Sequence, residues 1–183
     1  DNGVFLEASV KLYDDTELVF VNRDDYKGIH RPGFAEPFQK IELDRQETGI
    51  KNIDHIVGNV RVNEMNFWAS YFEKAFAFET FVDFGPGDIS TKYSALLSKV
   101  VRSSDSKIRN PINEPYEGLR RSQIEEYIDE YNGSGVQHIA IATDDIVSSI
   151  TALRANGVEF LSVPDTYYED QKSKGFKINE NWD

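Results

Sequence analysis

Apolar and polar residues alternate every second position at the start of this chain. Residues 4–12 and 18–21 follow that period, and the acidic residues Asp14 and Asp15 interrupt it. Alternation of this kind is typical of half-buried strands, and a short polar interruption favours a reversal of the chain. The sequence therefore opens with a predicted β-hairpin.

The alternation is lost over residues 27–46, a stretch with several glycines and prolines and no regular period. Turn-forming residues without a period favour a linker. We therefore predict that residues 1–48 are the end of one domain, and that residues 49–183 form a second unit.

Within the second unit, strand and helix patterns follow one another in an order that starts twice. The first series predicts a strand around Ile53, a helix over residues 64–76, and strands over residues 78–84, 93–101 and 107–113. After a helix over residues 122–131, the second series predicts a strand over 136–142, a helix over 146–155 and a strand over 158–163. The predicted order is β-α-β-β-β followed by part of a second copy.

Two of the predicted helices carry clear signals of burial or capping. Trp68 and Phe72 share one helical face, and we expect both to contact the sheet. Ser122 followed by Glu125 three residues later predicts a capping box at the start of the next helix.

Two of the three histidines occupy equivalent positions in the two series. His55 lies in the first strand of one copy and His138 in the first strand of the other, whereas His30 lies in the linker and is interpreted as a surface residue. The period of two places each of the paired imidazoles among apolar neighbours. A duplicated fold would bring these two rings together, so a shared metal site is the leading interpretation. A shared proton-transfer site and plain structural burial remain open.

The carboxylate that would complete a metal site is not evident. Asp54 is expected on the strand face opposite His55 because successive residues alternate. Asp144 and Asp145 have the pattern of a helix N-cap, and Glu180 lies in a polar tail. The sequence therefore gives two candidate ligands and no convincing third.

Composition narrows the chemistry and the partners. The chain has 20 Lys and Arg against 32 Asp and Glu, and its net charge of -12 argues against binding to a phosphate backbone. It has no cysteine, so a metal would be bound by imidazole, carboxylate and water. No apolar run approaches the roughly 20 residues that cross a bilayer, and we expect a soluble protein. Because the chain starts at Asp1 rather than methionine, we expect a piece of a longer or partly ordered protein.

Five motifs occur in an order and at spacings that resemble one enzyme family. From residue 53 onwards they are IDHIVGNV, YSALLSKVV, PINEP, RSQIEEY and GVQHIAIATDDI. On these motifs the chain resembles the 4-hydroxyphenylpyruvate dioxygenases from about residue 1 to about residue 166. The resemblance implies an α+β fold of the vicinal-oxygen-chelate (glyoxalase/bleomycin-resistance-like) class, whose paired βαβββ modules form an open barrel around Fe(II). Residues 1–48 would then end the N-terminal half, and residues 49–183 would belong to the catalytic half.

The resemblance also implies a reaction and a set of partners. Enzymes of this family convert an aromatic 2-oxo acid, 4-hydroxyphenylpyruvate, and O2 to homogentisate and CO2 in tyrosine and phenylalanine catabolism. We expect a cytoplasmic homo-oligomer, either a dimer or a tetramer, that binds neither nucleic acid nor membrane.

Matching the motifs residue by residue assigns the expected site. His55 and His138 correspond to iron ligands. The positions that correspond to the lining of the substrate pocket are Ser98, Pro111, Asn113, Gln123 and Gln137. No catalytic residue is expected beyond the metal site. The resemblance places the third ligand, a glutamate, beyond residue 183, and a protein without it would have two protein ligands for iron and negligible activity.

Three alternative functions share the implied scaffold. 4-Hydroxymandelate synthase uses the same substrate and iron but forms a different product. A metal-free binding module of the same superfamily would not need the paired histidines. An extradiol-type or glyoxalase-type enzyme would differ in its substrate, which the fold alone does not decide.

Overall fold

The computed structural model describes residues 2–36, 45–84, 95–116, 121–162, 164 and 166–169 of the 183-residue chain. The elements in this part of the chain are β1 (Leu6–Lys11), β2 (Glu17–Asn22), β3 (Ile50–Asn59), α1 (Met65–Phe76), β4 (Glu79–Phe84), β5 (Ala95–Arg102), β6 (Arg109–Tyr116), α2 (Gln123–Tyr131), β7 (Gly135–Thr143) and α3 (Ile146–Ala155). None of these helices is both long enough and apolar enough to cross a membrane.

The strands form a hairpin and one larger sheet. β1 and β2 are antiparallel neighbours, which confirms the predicted hairpin. The other five strands lie in the order β4-β5-β6-β3-β7, with β3 and β6 parallel and the remaining neighbours antiparallel. The predicted β-α-β-β-β order is confirmed by β3, α1, β4, β5 and β6, and β7 is the first strand of the second series. Within the described residues the sheet is open, so it contains one module and the start of another rather than a closed barrel.

The strand β6 lies inside the sheet although it contains Pro111 and Pro115, which have no backbone N–H to donate. Its parallel pairing with β3 falls between the two prolines, where Asn59 pairs with Asn113. The N–H of Val60 also donates to the carbonyl oxygen of Asn113, at 2.9 Å. The junction between β3 and β6 is therefore short. β6 nevertheless continues to Tyr116, next to Pro115, near which the strand was predicted to end.

The core lies between α1, the sheet and the turn of the hairpin. Phe72 is fully buried there among residues of the sheet, which confirms that it faces the sheet. Trp68 packs against the same cluster, with its ring edge-to-face against Tyr13 of the hairpin turn. The buried cluster consists of Leu12, Tyr13, Val60, Met65, Ala69, Phe72, Val101 and Ile112. A β-carbon at Gly58 would lie 2.2 Å from the Tyr13 hydroxyl oxygen, so the close packing of this ring requires glycine on β3.

The amino end of α1 is capped by a residue from another element. Glu64 is the N-cap residue, but its side chain makes no capping hydrogen bond, and the first turn of the helix has no acidic residue. Glu114 on β6 is 5% exposed, and its Oε2 accepts a hydrogen bond from the N–H of Met65 at 3.0 Å. A carboxylate in this position satisfies a buried backbone donor and lies at the positive end of the helix dipole.

The predicted capping box of α2 is confirmed. The Ser122 hydroxyl oxygen accepts from the N–H of Glu125 at 3.2 Å, and the Glu125 carboxylate accepts from the N–H of Ser122 at 2.7 Å. The two N–H groups of the capping box thus have acceptors, and the Ser122 side chain is buried.

Replacing Ser122 by alanine is expected to lower the free energy of unfolding by about 1 kcal/mol, since the partly buried N–H of Glu125 loses its acceptor. Urea unfolding followed by circular dichroism measures the change. Ser122→Thr keeps the hydroxyl acceptor and serves as the matched control. An alanine variant as stable as the wild type would show that the capping box contributes nothing.

By its contacts, the chain divides into two compact units. The first comprises residues 1–42 and 50–143, and the second comprises residues 43–49 and 144–183. This division into units does not test the predicted domain boundary at residue 48, which stays a prediction. In the second unit, α3 has the predicted bounds, and the Asp145 carboxylate accepts from the N–H of Ser148, as expected of an N-cap.

The strand predicted over residues 158–163 is not formed by residues 158–162, and residue 163 lies outside the described residues. A strand is stable only when its backbone groups pair with a neighbour, and no described strand pairs with this segment. Leu161 is 94% exposed, so the apolar pattern that predicted the strand is not buried here.

Candidate functional site

The two repeat-related histidines lie on neighbouring strands at the edge of the sheet. β3 and β7 are antiparallel, with Val57 opposite His138 and His55 opposite Ala140. The ring centroids of His55 and His138 are 5.8 Å apart, and the ring planes are inclined by 73°. The convergence expected of a duplicated strand pair is therefore observed, and two imidazoles are available to one bound group.

A register irregularity precedes each of these histidines. On β3, Ile53 and His55 pair with consecutive residues of β7, which leaves Asp54 as an extra residue. On β7, Gln137 is the extra residue before His138. An extra residue of this kind is a β-bulge, and it breaks the strict alternation of side chains between the two faces of a sheet.

The bulges turn each preceding side chain toward the histidine. The Nδ1 atom of His55 lies 2.7 Å from Oδ2 of Asp54. The Nδ1 atom of His138 contacts Oε1 of Gln137 in the same way. The expectation that Asp54 lies on the face opposite His55 is therefore wrong, because the bulge removes the alternation on which it depended. In both rings the contact leaves Nε2 for another partner.

An arginine extends the contact at His55 into the next strand. Nη1 of Arg109 on β6 donates to Oδ1 of Asp54 at 2.8 Å. The pKa of Asp54 is lowered, first by its hydrogen bond with His55 and further by the charge of Arg109. The pKa of His138 is also lowered, mainly by partial desolvation of its ring and secondly by the neighbouring His55. A lowered pKa keeps this imidazole neutral, the state in which it can bind a metal.

The imidazoles are less buried than their apolar neighbours predicted. The His55 side chain is 30% exposed and His138 is exposed, and Ile53 is also exposed. The bulge at Asp54 separates Ile53 from the alternation that continues through His55, and β7 is an edge strand of the described sheet. Plain structural burial, one of the three interpretations left open above, does not describe this pair. His30 is exposed, as predicted.

A row of neutral polar side chains crosses the centre of the sheet. Ser98 on β5 pairs directly with Asn113 on β6, which pairs with Asn59 on β3. Directly paired residues point to the same face, and Asn113 Nδ2 donates to Asn59 Oδ1 at 3.4 Å. By the period of two through Val57, this is also the face of His55. The structure thus places two of the expected pocket residues on the face that carries the histidines.

Asn59 is the polar residue that sequence reasoning missed. It is 0% exposed, and its Nδ2 has no hydrogen-bond partner among the described atoms. Buried donors without a partner are rare and call for an explanation. The available signal was its spacing of four residues from His55 along one strand, which keeps the two on one face.

The other three expected pocket residues differ in their surroundings. Pro111 is partly buried on β6, opposite Val100. Gln137 is exposed and contacts His138. Gln123 is exposed in the first turn of α2, and no described contact joins it to the other site residues. The role of all five residues in binding substrate stays a prediction.

The donor set fits part of a metal site. Imidazole nitrogens from adjacent strands suit two positions of the arrangement of two histidines and one carboxylate that is typical of non-haem Fe(II) oxygenases. The described residues contain no cluster of three or more His, Cys, Asp or Glu side chains suited to a metal ion. Glu180 lies outside the described residues.

Comparison with known proteins adds independent information. Residues 52–177 match the family described as the Glyoxalase/Bleomycin resistance protein/Dioxygenase superfamily. A 4-hydroxyphenylpyruvate dioxygenase from Aspergillus fumigatus is 42% identical over 200 aligned positions, which cover 100% of this chain and 47% of that protein. A 4-hydroxyphenylpyruvate dioxygenase from Danio rerio is 45% identical over 170 positions, covering 91% of this chain and 43% of that protein. The chain thus spans about half the length of the curated relatives it matches.

A solved structure shows the same relationship in three dimensions. A triple mutant of 4-hydroxymandelate synthase from Streptomyces coelicolor superimposes with a TM-score of 0.58 and 27% sequence identity. The match covers 68% of this chain and 36% of that one. The expected vicinal-oxygen-chelate fold class is confirmed by this match and by the family match.

Proposed function

Because the chain belongs to the Glyoxalase/Bleomycin resistance protein/Dioxygenase superfamily, we propose that its protein is an Fe(II)-dependent 4-hydroxyphenylpyruvate dioxygenase. The proposed reaction converts 4-hydroxyphenylpyruvate and O2 to homogentisate and CO2. The similarity to enzymes of that name extends over the whole chain, as the Aspergillus fumigatus relative illustrates. The structural observation that carries the proposal is the convergence of His55 and His138 at 5.8 Å.

In this proposal His55 and His138 bind the metal through Nε2, because Nδ1 of each ring contacts a neighbouring side chain. Fe(II), when bound, would supply the chemistry that activates oxygen next to a 2-oxo acid. The third ligand is proposed to be a glutamate outside the described residues. The two imidazoles by themselves hold an ion weakly, so complete occupancy depends on that carboxylate.

The neutral polar row orients the substrate in this proposal. Ser98 and Asn113 carry a hydroxyl and an amide on the face shared with His55, and these groups can hold a phenol or a keto acid without adding charge. Gln123 and Gln137 are proposed to add further amides, and Pro111 to supply a rigid apolar wall. Holding the ring in one position relative to the metal is what the protein contributes to the rate.

The proposal also covers partners and compartment. The net charge of -12 supports the absence of a nucleic-acid partner. We place the enzyme in the cytoplasm as a dimer or tetramer, and native mass spectrometry together with fractionation would measure both properties.

Product analysis tests the proposed reaction. The protein, expressed from its complete coding sequence and supplied with Fe(II), 4-hydroxyphenylpyruvate and O2, is expected to form homogentisate and one equivalent of CO2. Liquid chromatography with mass spectrometry identifies the product, and an apo sample kept in chelator is the control. Turnover without added or bound iron would contradict the proposal.

The second candidate is 4-hydroxymandelate synthase, which the solved structural relative favours. The same assay separates the two, since hydroxymandelate and homogentisate differ in retention. Hydroxymandelate as the main product would replace the first candidate with the second.

A further inference from the structure

The contact between Asp54 and His55 has a chemical consequence for metal binding. We propose that Asp54, held in place by Arg109, is a positioning residue that fixes the His55 imidazole in the tautomer that binds metal through Nε2. The inference rests on the proposed function, because it takes His55 to be a metal ligand.

The Asp54 carboxylate determines which nitrogen of His55 carries the hydrogen. An ionised carboxylate accepts hydrogen bonds and donates none, so the 2.7 Å contact with Asp54 requires the hydrogen on Nδ1 of His55. A neutral imidazole carries one N–H, and Nε2 then has a free lone pair. Ligating histidines are commonly held in this way, with the second nitrogen donating to a carboxylate or carbonyl.

The second step concerns Arg109. The Asp54 side chain is 37% exposed, so without a second contact it would be free to rotate away from the ring. Arg109 Nη1 donates to the other carboxylate oxygen at 2.8 Å. The two contacts together occupy both oxygens of Asp54 and set the plane of its carboxylate toward His55.

The third step is that the arrangement occurs twice. On β7 the bulged residue Gln137 presents Oε1 to Nδ1 of His138, as the bulged residue Asp54 presents Oδ2 to His55 on β3. Two bulges in different strands thus favour a hydrogen on Nδ1 in two neighbouring rings, whose planes are inclined by 73°. The groups differ in charge, and the anionic partner makes His55 the more electron-rich ligand of the two.

Two measurements on one set of variants test the proposal. Nitrogen-15 NMR of the metal-free protein at one fixed pH reads the imidazole tautomers, and competition with a chromophoric chelator measures the affinity for Co(II) and for Fe(II) under anaerobic conditions. In Asp54→Ala we expect His55 to become a mixture of tautomers and metal affinity to fall by about 10–100-fold. The tautomer of His138 should be unchanged.

Variants of Arg109 separate positioning from general destabilisation. Arg109→Met keeps the Asp54 carboxylate but removes the contact that holds it, so it should weaken metal binding less than Asp54→Ala, and Arg109→Lys should restore part of the affinity. Asp105→Asn is the matched control, because Asp105 contacts Ser103 and Lys107 in the β5–β6 turn and not the site. It should leave both readouts unchanged.

The outcomes distinguish this inference from the proposed function. A wild-type protein that is expressed from its complete coding sequence and binds neither Co(II) nor Fe(II) overturns the proposed function, and the tautomer of His55 then decides the positioning role alone. A His55 ring that keeps its hydrogen on Nδ1 in Asp54→Ala, with metal affinity within twofold of wild type, overturns the positioning role. If Asp54→Ala does not fold, the Arg109→Met and Arg109→Lys pair supplies the same comparison.

Discussion

Replacing His138 by alanine is expected to weaken Fe(II) and Co(II) binding by more than about 100-fold, because loss of a first ligand exceeds the 10–100-fold typical of groups behind the ligands. His55→Ala is expected to have the same effect. Isothermal titration calorimetry under anaerobic conditions measures the affinity. The fold should persist, since His138 is exposed and His55 is 30% exposed, and substitutions at such positions change stability little.

His30→Ala is the matched control for this experiment. It removes the third histidine of the chain from an exposed position where its ring packs against Phe34. This variant should bind metal as the wild type does. Stoichiometric, undiminished metal in either His55→Ala or His138→Ala would contradict the proposal that the twin strands form a metal site.

Replacing Glu114 by alanine is expected to lower the free energy of unfolding by about 1.5–3 kcal/mol, the range for a hydrogen bond to a charged group. The change relieves the cost of burying a carboxylate. It also leaves the N–H of Met65 without its acceptor in a buried position and removes the anion at the amino end of α1. The destabilising losses are expected to exceed this relief, because α1 has no acidic residue of its own in its first turn.

Glu114→Gln separates these contributions. Its amide oxygen can still accept from Met65 in a neutral hydrogen bond worth about 1 kcal/mol, so we expect a loss of only about 0.5–2 kcal/mol, the part that the charge contributes. Urea unfolding monitored by Trp fluorescence measures both variants. Equal losses in Glu114→Ala and Glu114→Gln would show that charge alone matters, and no loss in Glu114→Ala would remove the capping role.

The regular elements could be predicted because each has a local signal. The helix over residues 146–155 has its predicted bounds, and Ser122 and Glu125 form the capping box that their spacing predicts. The equivalence of His55 and His138 was visible for the same reason, since a repeated pattern predicts equivalent positions. Periodicity and capping are properties of short segments, so a sequence reveals them directly.

The details of the site could not be predicted because they depend on how strands pair. The sequence around Asp54 and Gln137 does not indicate that each is an extra, bulged residue in its strand. The bulges decide which atoms meet the imidazoles, and a strict period of two places Asp54 on the wrong face. The prediction of a strand was wrong for residues 158–162 for a related reason, since an apolar run forms a strand only where a neighbouring strand can pair with it.

Because of its two prolines, β6 has fewer backbone hydrogen bonds to β3 than to β5. The antiparallel ladders β5–β6 and β3–β7 are long, and the first sets the spacing from Ser98 to Asn113 while the second, with its two bulges beside the histidines, sets that from His55 to His138. The junction between those ladders has few backbone hydrogen bonds, because Pro111 and Pro115 donate none. We therefore expect the sheet to deform most easily at this junction, which lies between the imidazole pair and the hydroxyl–amide pair. In the proposed function, the distance from the proposed metal ligands His55 and His138 to the proposed substrate-orienting groups Ser98 and Asn113 spans this short junction.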